Sequence, residues 1–105
     1  MAEPRRFRVG VSTAQMEKLA TAREWAETNG LLSEFAAAMR EIDFRLKIEP
    51  QEWGESREYL PVVRVQIRCD TSRMVTVLYG VAEDRDVVFV REFRINHRYT
   101  SKPPT

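Results

Sequence analysis

Residues 77–90, VLYGVAEDRDVVFV, contain two apolar runs separated by a polar, charged segment. In the first run Val77, Tyr79 and Val81 occupy every second position, which is the period of a β-strand with one buried face. The segment AEDRD interrupts this alternation and carries two aspartates, so it predicts a turn. A valine-rich run then begins at Val87. The stretch therefore predicts a β-hairpin.

A further strand is predicted on the N-terminal side of this hairpin. Val63, Val65 and Ile67 alternate with polar residues, and CDTSR, residues 69–73, predicts the turn that follows. Three strands joined by short turns should form an antiparallel meander. Residues 6–11, RFRVGV, predict one more short strand by the same alternation.

The segment between the first strand and the meander has helical signals. Ser12 stands three residues before Gln15, which is the spacing of a capping box. Asn29 and Gly30 supply a stop, so a first helix is predicted over residues 13–29.

A second helix should follow at once and form a helical hairpin with the first. Apolar residues recur at helical intervals over residues 31–46, and Pro50 lies just beyond. Residues 49–56, EPQEWGES, predict a loop whose Trp53 folds back onto the core. The predicted fold class is α+β: strand, helix, helix, then a three-stranded antiparallel meander, with the helical hairpin packed on one face of the sheet. The aromatic residues predicted to be buried are Trp25, Phe35, Trp53, Phe89 and Phe93.

Length and composition indicate a single domain over residues 1–105, with a mobile polar tail at 100–105. The single cysteine, Cys69, excludes an internal disulfide, suits a reducing compartment and is expected to be inert. No apolar run approaches the ~18 residues of a membrane span, so we expect a cytoplasmic protein without membrane contact. One histidine and one cysteine cannot supply a metal-ligand cluster, and no glycine-rich nucleotide loop is present; no cofactor is expected.

The formal charge of +1 gives no overall cationic field, so a nucleic-acid surface requires segregated charge. Strand alternation predicts such a segregation on the side of the sheet that the helices leave uncovered. The residues predicted on that side are Arg8, Arg64, Gln66, Arg68, Thr76 and Arg94.

Between about residues 7 and 95 the chain resembles the RelE/ParE family of type II toxins. The resemblance is carried by REWAETNGLLSEFAAAMREIDFRL at residues 23–46, by the spacing of Pro50 and Gly54, and by VLYGVAEDRDVVFV. It implies the toxin component of a toxin–antitoxin system, with a cognate antitoxin whose extended segment wraps the toxin. Some members are ribosome-dependent mRNA endonucleases, and others inhibit DNA gyrase without nuclease residues.

Metal-free RNA cleavage through the 2′-hydroxyl needs a proton acceptor, a proton donor and cations at the phosphate. The resemblance to the ribonuclease branch implies Glu58 just ahead of the first meander strand, Arg73 at the start of the next strand, and His97 with Tyr99 after the last strand. The arginines predicted to bind RNA phosphates are Arg8, Arg64, Arg68 and Arg94.

Three alternatives remain open from the sequence. The chain is a metal-independent endoribonuclease, or a ParE-like toxin that seizes gyrase without chemistry, as its near-neutral charge and three lysines favour. The third is an inactive member of the fold that acts as a binding module. His97 then belongs to a frayed terminus, Glu58 is a loop carboxylate, and the arginines form the hydrated side of a sheet.

Overall fold

The computed structural model describes residues 5–100. A short strand, β1, is followed by two helices and four further strands. Their bounds are β1 Arg8–Gly10, α1 Thr13–Thr28, α2 Leu32–Ile48, β2 Glu55–Leu60, β3 Val65–Ser72, β4 Val75–Ala82 and β5 Val87–Ile95. The strands form one sheet in the order β1-β5-β4-β3-β2, in which β1 runs parallel to β5 and all other neighbours are antiparallel. The α+β fold class, both helices and the hairpin at residues 77–90 are confirmed.

The meander has four strands rather than the three predicted. β2 begins at the end of the predicted 49–56 loop, and almost all of its residues are exposed. Its sequence, ESREYL, lacks apolar alternation because β2 is an edge strand, where charged residues are typical. Hydrogen bonding to β3 holds it in the sheet.

The predicted turn at residues 69–73 is shorter than expected. β3 continues to Ser72, and only Arg73 and Met74 separate it from β4. Arg73 has a left-handed φ of 53°, and the Met74 side chain is fully buried. The polar residues before the turn still pair across the hairpin, where the hydroxyl oxygens of Thr71 and Thr76 lie 2.7 Å apart.

The hydrophobic core lies between the helices and one face of the sheet. α1 starts as predicted, since the Ser12 hydroxyl accepts a hydrogen bond from the Gln15 amide at 3.2 Å. The sheet residues in this core include alternate positions of β4 and residues of β5 on both sides of Arg91. The principal ones are Val75, Val77, Tyr79, Val81, Val88, Val90 and Phe93, packed against Ala22, Ala26, Phe35, Ala38, Ile42 and Leu46 of the helices.

The loop before β2 is fastened to this core through Tyr79. The Tyr79 hydroxyl donates a hydrogen bond to the Pro50 carbonyl at 2.9 Å, and its ring stacks on Trp53 with centroids 6.0 Å apart. Trp53 therefore packs on the core as predicted. Gly54 has a φ of 61°, and a Cβ added there would lie 2.6 Å from the Tyr79 hydroxyl. The backbone directly before β2 thus lies against Tyr79 and leaves no room for a side chain at position 54.

Candidate functional site

We call the side of the sheet opposite the helices the open face. Its β4 positions are Thr76, Leu78 and Gly80, which alternate with the buried core residues. Arg94 pairs with Thr76, so its side chain belongs to the open face as predicted. Arg8 also lies there, since its neighbour Val9 pairs with the core residue Val88.

Gln66 and Arg68 do not lie on the open face, and their predicted placement is wrong. They pair with the core residues Val81 and Tyr79, so they are on the helix side. The prediction assumed that Ile67 and its apolar neighbours pack against the helices, whereas they are buried on the open face. Arg68 instead donates to the Gly54 carbonyl, and Gln66 donates to the Glu58 carbonyl at 2.9 Å.

Arg64 also lies outside the open face. It is in the connection between β2 and β3, with a left-handed φ of 54°. Its Nε is 3.7 Å from a carboxylate oxygen of Glu83. Arg64 therefore makes an exposed ion pair beside the sheet.

Two strand irregularities bring new arginines to the open face. In β2 the pairing passes from Ser56–Arg68 to Glu58–Ile67, so Arg57 is an extra, unpaired residue. In β5 the pairing passes from Tyr79–Val90 to Leu78–Glu92, so Arg91 is likewise extra. These are β-bulges, which re-aim side chains and occur often beside active sites.

Both bulge arginines line one shallow pocket of about 450 Å³ on the open face. We call Arg57, Glu58, Arg91 and Arg94 the arginine–glutamate cluster; the remaining wall of the pocket is Ile67, Cys69 and Leu78. The Arg94 Nε is 3.1 Å from Glu92, and an Arg57 nitrogen is 3.9 Å from Glu55.

The other two members of the cluster have no such partners. Within residues 5–100 neither the Glu58 carboxylate nor the Arg91 guanidinium makes an ion pair or hydrogen bond. Both side chains are exposed. Both groups are therefore available to a ligand. The Arg91 guanidinium can bind a phosphate of that ligand, and the Glu58 carboxylate can accept a proton from it.

His97 and Tyr99 lie outside this cluster, beyond the end of β5. The His97 ring meets Trp25 of α1 edge to face, with centroids 5.0 Å apart. Tyr99 is half-buried; burial, followed by hydrogen bonding to Glu34, raises its pKa, and the nearby charge of Arg73 opposes the shift. Arg73 and Tyr99 thus lie near each other.

The predicted catalytic residues are consequently divided between two places. Glu58 is in the open-face cluster, whereas His97 and Tyr99 share a shallow pocket with Trp25. Arg94 connects the two places, because it lines the cluster pocket and also a groove along α1 that contains His97. A catalytic role for His97 and Tyr99 stays a prediction.

Sequence reasoning missed Arg57 and Arg91 and misplaced Phe89. Phe89 pairs with Gly80 on the open face and is 39% exposed, so its predicted burial in the core is wrong. The sequence does hold a signal for the second bulge: the core residues Val90 and Phe93 are three positions apart, which breaks the period of two. Arg57 has no comparable signal, since β2 lacks apolar alternation.

Within residues 5–100 no three His, Cys, Asp or Glu side chains are grouped as a metal site requires. Among the same residues no helix is long and apolar enough to cross a membrane. The predicted mobile tail, apart from Thr100, lies outside the described residues.

In comparisons with known proteins the chain matches no protein-family model, no curated protein and no solved structure. The RelE/ParE resemblance therefore stays a prediction, based on the residues quoted for it and on the order of the elements.

Proposed function

We propose that this chain is the toxin component of a RelE/ParE-like toxin–antitoxin pair and that it cleaves mRNA on the ribosome. The observation that carries the proposal is the convergence of two bulge arginines on Glu58, whose carboxylate makes no ion pair or hydrogen bond within residues 5–100. Arg57 and Arg91 line the same pocket as Glu58. The order of strand, two helices and meander, which the resemblance implies, is a second support.

The proposed chemistry is a transfer of the phosphodiester to the neighbouring 2′-hydroxyl. Glu58 accepts the proton of the 2′-hydroxyl, whose oxygen attacks phosphorus while the bond to the 5′-oxygen breaks. Water supplies a proton to the departing 5′-oxygen, and the hydroxide that remains takes the proton from Glu58, so the products are a 2′,3′-cyclic phosphate and a 5′-hydroxyl. The guanidinium groups of Arg91 and Arg94 neutralise the phosphate oxygens as negative charge builds up.

The first test is induced expression in bacterial cells, with growth and RNA 5′ ends followed together. The proposal expects growth arrest with new cuts inside translated codons. Glu58→Gln should abolish the cuts, because the amide has almost the same shape but cannot take the proton. Glu41→Gln, an exposed change on α2, is the matched control. Cuts that persist in Glu58→Gln would exclude this residue as the base.

A ParE-like action on DNA gyrase is the second candidate. It is favoured by the connection between β2 and β3, where Val62 is 96% exposed and Val63 is 55% exposed. Exposed aliphatic residues in a turn suit a protein target better than RNA. A DNA-damage response without RNA cuts would support this candidate, and harmless expression would support an inactive binding module instead.

We also propose a cognate antitoxin that binds the chain through an extended segment. The edge strand β2 offers unpaired backbone groups to such a segment. Affinity purification of the chain from cells that express its genomic neighbourhood should recover a small partner encoded beside it. Recovery of the chain alone would contradict the proposal.

A further inference from the structure

The open face has a second concavity beside the arginine–glutamate cluster. It measures about 370 Å³ and has mostly apolar walls. Its lining is Leu60, Val63, Val65, Ile67, Gly80 and Phe89, with Arg85 and Arg91 at the rim. Among residues 5–100 no carboxylate belongs to this lining, so the lining itself does not repel an anionic ligand.

The concavity is built around a glycine. A Cβ added at Gly80 would lie 2.8 Å from Val65 Cγ1 and 3.3 Å from Ile67 Cδ1, so both side chains lean over the bare backbone. They are buried although they lie outside the main core. Phe89, in contrast, keeps part of its ring exposed. The base of the concavity is therefore formed by the buried side chains of Val65 and Ile67, and its side by the partly exposed ring of Phe89.

The concavity and the cluster are continuous. Both are lined by Ile67 and Arg91. On β4 the concavity is lined by Gly80 and the cluster pocket by Leu78, two residues or roughly 7 Å apart along the strand. The Arg85 guanidinium lies 5.9 Å from the centre of the Phe89 ring. An apolar site with aromatic and guanidinium groups thus adjoins Arg91, whose guanidinium makes no ion pair within residues 5–100.

We infer that this concavity is a base-binding subsite, which takes the base of the nucleotide whose phosphate lies at Arg91. Unpaired RNA bases stack on aromatic rings and on guanidinium planes, and both groups are present here. One nucleotide joins a flat base to a phosphate, and the structure places an apolar concavity beside the Arg91 guanidinium in the same way. The inference deepens the proposed nuclease function and rests on it.

The test is binding of short 2′-O-methyl oligonucleotides, which cannot be cleaved, to the purified chain in dilute salt. Methyl NMR signals of Val65 and Ile67 report occupancy of the concavity. Phe89→Leu removes the aromatic ring but keeps an apolar side chain. Phe44→Leu is the matched control, because Phe44 is an exposed phenylalanine on α2. An oligonucleotide with one abasic position removes the base and keeps the phosphates.

The expected result is that each intact oligonucleotide shifts both methyl signals and that Phe89→Leu weakens its binding roughly 5-fold or more. The variant should bind the abasic oligonucleotide as the wild type does, and Phe44→Leu should change neither affinity. Binding that moves no methyl signal, or that Phe89→Leu leaves unchanged, would overturn the subsite.

Failure of the subsite and failure of the nuclease proposal are separable. Binding of an uncleavable oligonucleotide does not need Glu58, and the effect of Glu58→Gln on RNA cuts does not need Phe89. Methyl shifts with a Leu/Glu-rich amphipathic peptide, but with no oligonucleotide, would overturn the subsite in favour of a protein-docking surface.

Discussion

Replacing Tyr79 by phenylalanine removes one hydroxyl from the centre of the sheet and releases the loop that leads into β2. The hydroxyl is 2.9 Å from the Pro50 carbonyl, and the Tyr79 side chain is fully buried. The variant leaves that carbonyl without its donor, which costs about 1–3 kcal/mol of the free energy of unfolding near neutral pH. For a domain of this size such a loss lowers Tm by at least ~4 °C.

The pH dependence of this loss is the sharper part of the prediction. Burial raises the pKa of Tyr79 from 10.0 to about 12. Above pH 10 the tyrosine of the unfolded chain ionises, whereas the folded chain keeps its proton. The contribution of Tyr79 is therefore complete below pH 10 and declines until pH 12, by up to about 2.7 kcal/mol. The phenylalanine of the variant cannot titrate, so the difference between the two proteins should shrink over this range.

Urea unfolding followed by far-UV circular dichroism, at intervals between about pH 8 and pH 12, measures both effects. Other tyrosines titrate equally in the two proteins, so their contributions cancel in the difference. A difference that stays constant up to pH 12 would refute the assigned pKa shift. A variant as stable as the wild type near pH 8 would refute the role of the hydroxyl in holding the Pro50 loop.

Two further predictions concern the loop and the divided catalytic residues. Gly54→Ala should destabilise the fold more than Gly30→Ala: both glycines have positive φ, but a Cβ at Gly54 would collide with Tyr79, whereas nothing lies within 4 Å of a Cβ at Gly30. Thermal unfolding should show losses of roughly 3 kcal/mol for Gly54→Ala and 1 kcal/mol for Gly30→Ala. Equal losses would contradict the packing argument. The sequence predicts a catalytic His97, but the proposed mechanism at Glu58 does not use it, because the two residues line different pockets. His97→Ala should therefore leave the pattern of RNA cuts intact while Glu58→Gln removes it, and mapping of 5′ ends that gave the reverse would move the chemistry to the groove along α1.

The sequence was sufficient for elements whose burial is one-sided. β4 alternates cleanly because its odd-numbered side chains from Val75 to Val81 face the helices. β3 misled the assignment of faces because Val65 and Ile67 are buried on the open face, so an apolar residue there does not identify the helix side. Alternation shows that a strand has two different faces. Which of them points toward the helices depends on what covers each face, and that is a property of the tertiary structure.

The candidate site was only partly predictable for a related reason. Glu58 was identified through the family resemblance, and Arg94 through the alternation of strand residues. Arg57 and Arg91 became part of the site only through one-residue shifts in pairing. Such a shift depends on two strands at once, so the sequence of either strand alone does not determine it.

The core requires an extra residue at position 91 of β5, but it does not require that this residue be an arginine. Val90 and Phe93 both face the helices, so deleting the extra residue would turn the end of β5 toward the open face. The bulge needs a residue at position 91 but not a guanidinium, since the side chain is exposed and makes no ion pair within residues 5–100.

Arg91→Ala should therefore change the free energy of unfolding by no more than about 0.5 kcal/mol, as an exposed substitution does. The same variant should lose most RNA cleavage and weaken binding of intact and abasic oligonucleotides alike, because it removes a phosphate contact rather than a base contact. Arg40→Ala, an exposed arginine on α2, is the control. Urea unfolding and oligonucleotide titration of both variants test this separation. A large loss of stability in Arg91→Ala would mean that the guanidinium supports the fold. Its position in the pocket would then be explained by that structural role and would no longer support a phosphate contact.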